Sequence, residues 1–164
     1  MKYYPRLKDK ELQALEKDFV DFLVVNGITA EDWVKIKETD LEKAEALISE
    51  FSNVVYESSL RKADYLLLVD KEVVRCFNCL ETQVVMASLT YHGTKEFDFH
   101  EVEDLASLLN DKRFKFSANI ANKRYEKKRE HEMYDMILSG CKIADEKVFQ
   151  LISMFWQQER VGAN

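Results

Sequence analysis

The fold is decided by residues 65–91, which have the sequence YLLLVDKEVVRCFNCLETQVVMASLTY. Three short runs within it are rich in Val, Leu and aromatic residues: Tyr65–Val69, Val73–Phe77 and Val84–Tyr91. Short runs of this composition, separated by polar pairs, predict an antiparallel β-meander. Both parities of the first run are apolar, so we expect that strand to be covered on both faces.

Upstream of the meander, residues 9–62 have apolar residues at the three- and four-residue spacing of amphipathic helices. The first helix is predicted over residues 10–26. It is followed by a short helix and then a longer one. The predicted N-caps are Asp9, Thr29 (in a capping box with Asp32) and Asp40, and Gly27 ends the first helix.

Downstream, residues 97–117 mix helix and strand, and residues 121–157 are predicted to be helical. The individual elements are a helix over 101–110, an edge strand over 113–116, helices over 121–139 and 145–157, and a frayed tail over 161–164. The predicted class is therefore α+β: an N-terminal helical segment, a central antiparallel meander of three to four strands, and C-terminal helices packed on the sheet. We expect one domain over residues 1–164.

Composition excludes several classes of function. The chain has 164 residues and a net charge of −6, and its longest apolar runs are far too short for a membrane helix. Its four glycines all stand alone, so no phosphate-binding loop or dinucleotide fingerprint can be written on it. There is no export signal and the three cysteines are an odd number, so we expect a cytoplasmic protein with reduced thiols.

Four stretches of the sequence resemble an uncharacterised family of small proteins from the Bacteroidetes, known as a domain of unknown function. They are Gly27–Trp33, Glu42–Glu45, Cys76–Cys79 and Ser139–Ile143. The resemblance extends over roughly residues 5 to 155. It implies a bacterial cytoplasmic accessory protein and brings no activity, substrate or catalytic residue.

One candidate site is a metal centre. Cys76 and Cys79 form a Cys-x-x-Cys pair, and Cys141 could add a third thiolate to a zinc site. In an extended strand residues 76 and 79 point to opposite faces, so they can share an ion only if the chain turns between them. The alternative is that these cysteines are small hydrophobic residues of buried strands.

A second candidate is the basic segment, residues 112–131, which holds eight Lys or Arg residues against two Glu. If it is helical, part of it forms a basic face beside an aromatic residue, which could contact an acidic protein or RNA. The residues predicted to bind the partner are Lys123, Arg124, Tyr125, Lys127, Lys128 and Arg129. The alternatives are a solvated face with ion pairs along the helix, or docking on the protein's own acidic surface or on another copy of the chain.

Two further features have weaker functional interpretations. His100 lies among carboxylates and could be part of an acid–base pair, although Asp98 is equally explained as an N-cap. The last helix carries apolar residues on a broad face over Val148–Trp156, which predicts burial between two surfaces or self-association.

These observations favour a non-enzymatic binding or accessory domain, because the sequence contains no catalytic motif and one strongly basic segment. The alternative hypothesis is a small zinc-stabilised domain built on Cys76, Cys79 and Cys141, which could be an enzyme. No other cofactor is expected.

Overall fold

The structure is a computed structural model that describes residues 3–162. It confirms the α+β class, with helices at the N-terminus and an antiparallel sheet followed by helices. The chain divides after Ser59 into two compact units, and a single domain stays a prediction. None of the described helices is long and apolar enough to cross a membrane.

The first unit is helical. Its elements are α1 (Asp9–Ala14), α2 (Glu16–Val25), α3 (Ala30–Thr39) and α4 (Leu41–Lys62), of which the last three residues belong to the second unit. Phe19 joins the later three helices, because its ring centroid lies 5.1 Å from that of Trp33 and 5.0 Å from that of Phe51. Aromatic pairs at these distances add to the stability that burial provides.

Two of the predicted helix starts are confirmed. Thr29 accepts a hydrogen bond from the Asp32 N–H at 3.1 Å, and the Asp32 carboxylate accepts one from the Thr29 N–H at 3.2 Å. This is a reciprocal capping box. Asp40 accepts from the Lys43 N–H at 3.0 Å and begins α4.

The first predicted helix differs from the structure in two respects. It is divided at Leu15, whose ψ of 23° leaves the helical range. Its N-cap is Lys8 and not Asp9, because Lys8 has an extended backbone and its N–H donates to the Glu11 carboxylate at 2.7 Å. The helix therefore includes Asp9 as its first residue.

The second unit is built on a five-stranded sheet in the order β4-β3-β2-β1-β5, in which all neighbours are antiparallel. The strands are β1 (Tyr65–Val69), β2 (Val73–Cys79), β3 (Gln83–Tyr91), β4 (Phe116–Arg124) and β5 (Lys142–Ala144). The helices are α5 (Leu105–Asn110), α6 (Arg129–Leu138) and α7 (Lys147–Gly162), with a 3-10 turn at Phe99–Glu101. The predicted meander is confirmed as β1 to β3.

The helix predicted to begin near residue 121 is wrong at its start. Residues 116–124 form β4, which pairs with all nine residues of β3, and α6 begins only at Arg129. The edge strand predicted over 113–116 therefore lies later in the chain. Phe116, Ala118 and Ile120 alternate with polar or small residues and pack on the sheet core, and this period of two determines a strand.

The turn before α5 also differs from the helix predicted over 101–110. Asp98 is an N-cap as expected, but it caps the 3-10 turn: it accepts from the His100 N–H at 2.9 Å, and its Oδ1 lies 2.7 Å from His100 Nδ1. α5 begins at Leu105. Its N-cap is Asp104, which accepts a hydrogen bond from the Ser107 N–H at 3.1 Å. The predicted His100 acid–base pair thus coincides with an exposed capping interaction.

α7 covers one face of the sheet. Its Ile152 is fully buried in a core cluster with residues of β2, β3 and β4, and Phe149 lies 5.7 Å from the Tyr65 ring. This packing accounts for the broad apolar face of the helix. The helix continues to Gly162, residues 163–164 lie outside the described residues, and fraying of the tail stays a prediction.

Candidate functional site

β4 is an edge of the sheet, with a strand on only one of its sides. Hydrogen bonds at its two ends identify the residues that face β3: the Lys115 carbonyl accepts from the His92 N–H at 2.8 Å, and the Tyr125 N–H donates to the Thr82 carbonyl at 3.5 Å. Successive residues of a strand direct their backbone groups to opposite sides, so the odd-numbered residues pair with β3. The outward backbone groups belong to Phe116, Ala118, Ile120, Asn122 and Arg124.

The outward side of β4 has no backbone partner among residues 3–162. Over residues 116–122 the side chains of the strand also carry no charge. Proteins usually protect long edge strands with charges, prolines or bulges, because unpaired N–H and C=O groups recruit other chains. β4 therefore has the geometry to accept a further strand.

Cationic side chains lie at both ends of this edge. Lys112 and Lys115 precede β4 and Arg124 ends it, and all three are exposed. In the part of the chain that the structure describes, none of the three side chains has an ion pair or hydrogen bond. A segment that pairs with β4 would therefore meet uncompensated positive charge at each end.

The basic segment does not form the predicted helix face, and that prediction is wrong. Lys123 and Arg124 end β4, residues 125–128 form a connection, and Arg129 begins α6. The reason is that pairing with β3 extends the strand to Arg124, opposite Gln83. The use of the six predicted residues in partner binding stays a prediction.

Arg129 has a structural role. Its Nε and Nη2 donate to the Cys79 carbonyl at 3.0 and 2.9 Å, its Nη1 donates to the Leu60 carbonyl at 3.1 Å, and Nη2 also donates to the Ala63 carbonyl at 2.6 Å. Its side chain is only 13% exposed. The cation lies at the C-terminal end of α4, where the helix dipole favours positive charge. These bonds leave the guanidinium little capacity for a partner.

Tyr125 and two of the lysines also have internal partners. The Tyr125 hydroxyl donates to the Leu80 carbonyl at 2.9 Å, and burial raises the pKa of Tyr125 to about 12. Lys127 Nζ lies 2.9 Å from Asp135 Oδ2, and Lys123 Nζ lies 3.2 Å from Glu126 Oε1. Of the predicted partner-binding residues that lie on β4, Lys123 and Arg124, only Arg124 has a side chain without an ion pair or hydrogen bond among residues 3–162.

The three cysteines are free and buried. Cys76 and Cys79 both belong to β2, without a turn between them, so they lie on opposite faces of the sheet. Burial raises the pKa of each of these two thiols to about 11 and also raises that of Cys141. Across residues 3–162 no three His, Cys, Asp or Glu side chains are grouped so that they could hold a metal ion. The three thiols therefore do not form a shared site in this fold, and zinc binding itself stays a prediction.

A cavity of about 640 Å³ lies beside Arg129 at the end of β2. Four carboxylate residues line it, Asp64, Glu81, Glu130 and Glu146, together with Arg61 and Arg129. Glu130 is 8% exposed and its Oε1 lies 3.7 Å from Arg129 Nη1. Because Arg129 is already bonded to three carbonyls, we interpret this cavity as a structural feature and not as a binding site.

Sequence reasoning missed the uncharged stretch of the edge, residues 116–122. A signal was present, because Phe116, Ala118 and Ile120 alternate with Ser117 and Asn119 as strand residues do. The neighbouring lysines and arginines suggested a solvated helix instead.

No curated protein and no solved structure matches the chain. A family model does match, over residues 1–157, which is nearly the whole of the sequence. The chain belongs to this family, DUF6495, a family of unknown function.

Proposed function

We propose that this protein is a binding module that captures an extended acidic segment of another protein by adding it as a strand to β4. The observation that carries the proposal is the unpaired outward side of β4. Strand addition is a common mode of peptide recognition in which main-chain hydrogen bonds supply affinity and side-chain contacts supply specificity. The proposal keeps the acidic partner expected from the basic segment. The partner now binds to a strand edge and not to a helix face.

Charge determines the kind of segment. The cations Lys112, Lys115 and Arg124 lie around the edge, whereas its central residues are neutral. Carboxylates near the two ends of an added strand would pair with these cations and would speed the encounter. The rest of the chain is acidic, so the field of the protein directs an acidic segment towards this edge.

A second copy of the chain is a poorer occupant of the edge. If β4 paired with itself in antiparallel register, Lys115 and Arg124 of the two copies would lie near one another at each end. Like charges opposite each other in a strand pair are destabilising.

RNA is also a poorer occupant than a peptide. Stacking on bases needs an accessible aromatic ring beside the cations. Tyr125 is the aromatic residue of the predicted patch, and its hydroxyl is bonded to the Leu80 carbonyl. Arg129, the other expected contact, is bonded to three carbonyls.

A peptide-display selection from a library of random sequences tests the proposal. We expect enrichment of acidic peptides without proline and with alternating β-branched residues. Asn122→Pro is the diagnostic variant, because it removes one outward N–H from an exposed position and leaves the ladder to β3 intact. The matched control, Asn122→Ala, keeps the N–H.

Selected peptides should bind the Asn122→Ala variant as they bind the wild type, and should bind Asn122→Pro at least about tenfold more weakly. Equal binding to the two variants, or enrichment of basic peptides, contradicts strand addition. Tight binding of an RNA oligomer that the selected peptides do not displace would assign the basic segment to RNA instead.

The bacterial cytoplasmic location and an origin in the Bacteroidetes remain predictions. Self-association through Val148–Trp156 also stays a prediction, although packing on the sheet already accounts for much of that apolar face.

A further inference from the structure

A small cationic pocket, of about 260 Å³, lies where β3 ends and β4 begins. Residues 91–95 line one side of it and residues 113–115 line the other. Three of the lining residues, Lys95, Arg113 and Lys115, are permanent cations, and none is an acid. The sequence alone does not predict this pocket, because a helix and two turns separate its two halves along the chain.

A tyrosine hydroxyl adds a second feature to the pocket. Tyr91 is only 6% exposed, and its ring packs on Phe97 with centroids 4.3 Å apart. The hydroxyl lies over Gly93, where a Cβ atom would come within 1.8 Å of Oη, so only glycine fits. Among the described residues this hydroxyl has no hydrogen-bond partner. The hydroxyl is therefore free to donate a hydrogen bond to a ligand in the pocket.

Local hydrogen bonds fix the other groups of the pocket. His92 Nε2 lies 2.5 Å from Ser117 Oγ, which anchors the loop to the start of β4. Arg113 forms a two-pronged pair with Asp111, with Nη2 to Oδ2 at 2.7 Å, and this arginine lowers the pKa of Asp111 to about 2. Lys95 and Lys115 have no ion pair within residues 3–162. The pocket therefore has an excess of about two positive charges.

We infer that this pocket binds the phosphoryl group of a phosphorylated Ser or Thr in the acidic segment. The inference rests on the proposed function, because the pocket lies at the Phe116 end of the edge to which that segment would add. A phosphoryl group carries a charge of about −1.5 to −2 and three acceptor oxygens, whereas a carboxylate carries one charge. Two free ammonium groups and a hydroxyl donor match the phosphoryl group in charge and in hydrogen bonding.

The probes are a selected peptide that carries Ser, or phosphoserine, near either end, and inorganic phosphate. For one of the two positions, phosphorylation should strengthen binding to the wild type by at least about tenfold. An added strand antiparallel to β4 would place this position near the C-terminus of the peptide.

Lys95→Ala and Tyr91→Phe test the pocket apart from the edge. Each should remove most of the gain from phosphorylation and leave the affinity of the unphosphorylated peptide unchanged. Lys112→Ala, which alters a cation of the same segment outside the pocket, should keep the gain. Thermal unfolding checks that both pocket variants are folded.

Failures of the two proposals are distinguishable. Tight binding of the unphosphorylated peptide without a gain from phosphorylation would overturn the pocket and leave strand addition intact. If no peptide binds, titration with inorganic phosphate decides: amide shifts at Thr94 and Lys95 that the Lys95→Ala variant abolishes would support the pocket, and their absence would overturn it. Equal competition by an RNA oligomer would contradict a phosphopeptide as the source of the phosphoryl group.

Discussion

The two edges of the sheet differ in a way that indicates which of them is built for binding. β5 has three residues, Lys142–Ala144, and pairs with only part of β1, so its outer side presents at most two residues. β4 has nine residues, and five of them direct backbone groups outward. A short edge is one of the ordinary protections against unwanted pairing. The β5 edge is thus too short for extensive pairing, whereas the β4 edge is long, uncharged in its centre and cationic at its ends.

The largest expected effect is on stability. It comes from comparing a buried arginine with an exposed arginine at the end of the β4 edge. Arg129→Ala removes hydrogen bonds to the carbonyls of Leu60, Ala63 and Cys79, and we expect it to lower the free energy of unfolding by about 3 kcal/mol. Arg124→Ala, at the edge, should change it by less than about 0.5 kcal/mol. Urea denaturation measures both.

If the two variants lost the same stability, Arg124 would have a structural contact and the free cation at the end of the edge would not exist. If Arg129→Ala were harmless, Arg129 would return to the set of partner-binding residues.

Charge reversal at the two edges has a smaller expected effect. The double variant Lys115→Glu, Arg124→Glu should weaken binding of a selected acidic peptide by about tenfold, because each lost surface pair is worth less than about 1 kcal/mol. Lys142→Glu on β5 is the matched control and should leave the affinity unchanged. Fluorescence anisotropy of a labelled peptide measures the three affinities.

Equal weakening by Lys142→Glu would mean that net charge, and not position on β4, controls binding. The weakening by the double variant should also diminish in high salt, because exposed charges are screened.

The local parts of the fold were predictable from the sequence. The meander was recognised because its Val- and Leu-rich runs are separated by polar pairs, and two helix starts because Thr29 and Asp40 bond within their own first turns. These signals act over three or four residues. β4 was misinterpreted because its alternation spans only Phe116–Ile120 and is followed by residues that suit a helix surface.

The candidate site was predictable only in its charge. The positive segment is visible in the sequence, but the distinction between Arg124 and Arg129 depends on partners far along the chain: Cys79 and Leu60 lie 50 and 69 residues from Arg129. The opposite orientation of Cys76 and Cys79 was foreseeable once the strand was assumed, because it follows from parity. The roles that side chains have through contacts far along the chain could not be predicted from the sequence.

Amide hydrogen exchange along β4, with and without a selected peptide, tests strand addition most directly. Exchange of individual amides is read by NMR. We expect the peptide to protect the outward amides of Ala118, Ile120 and Asn122 by an order of magnitude or more, while those of Ser117, Asn119 and Ala121, already bonded to β3, change little. Uniform protection along β4, or protection confined to residues 142–144, would contradict the account.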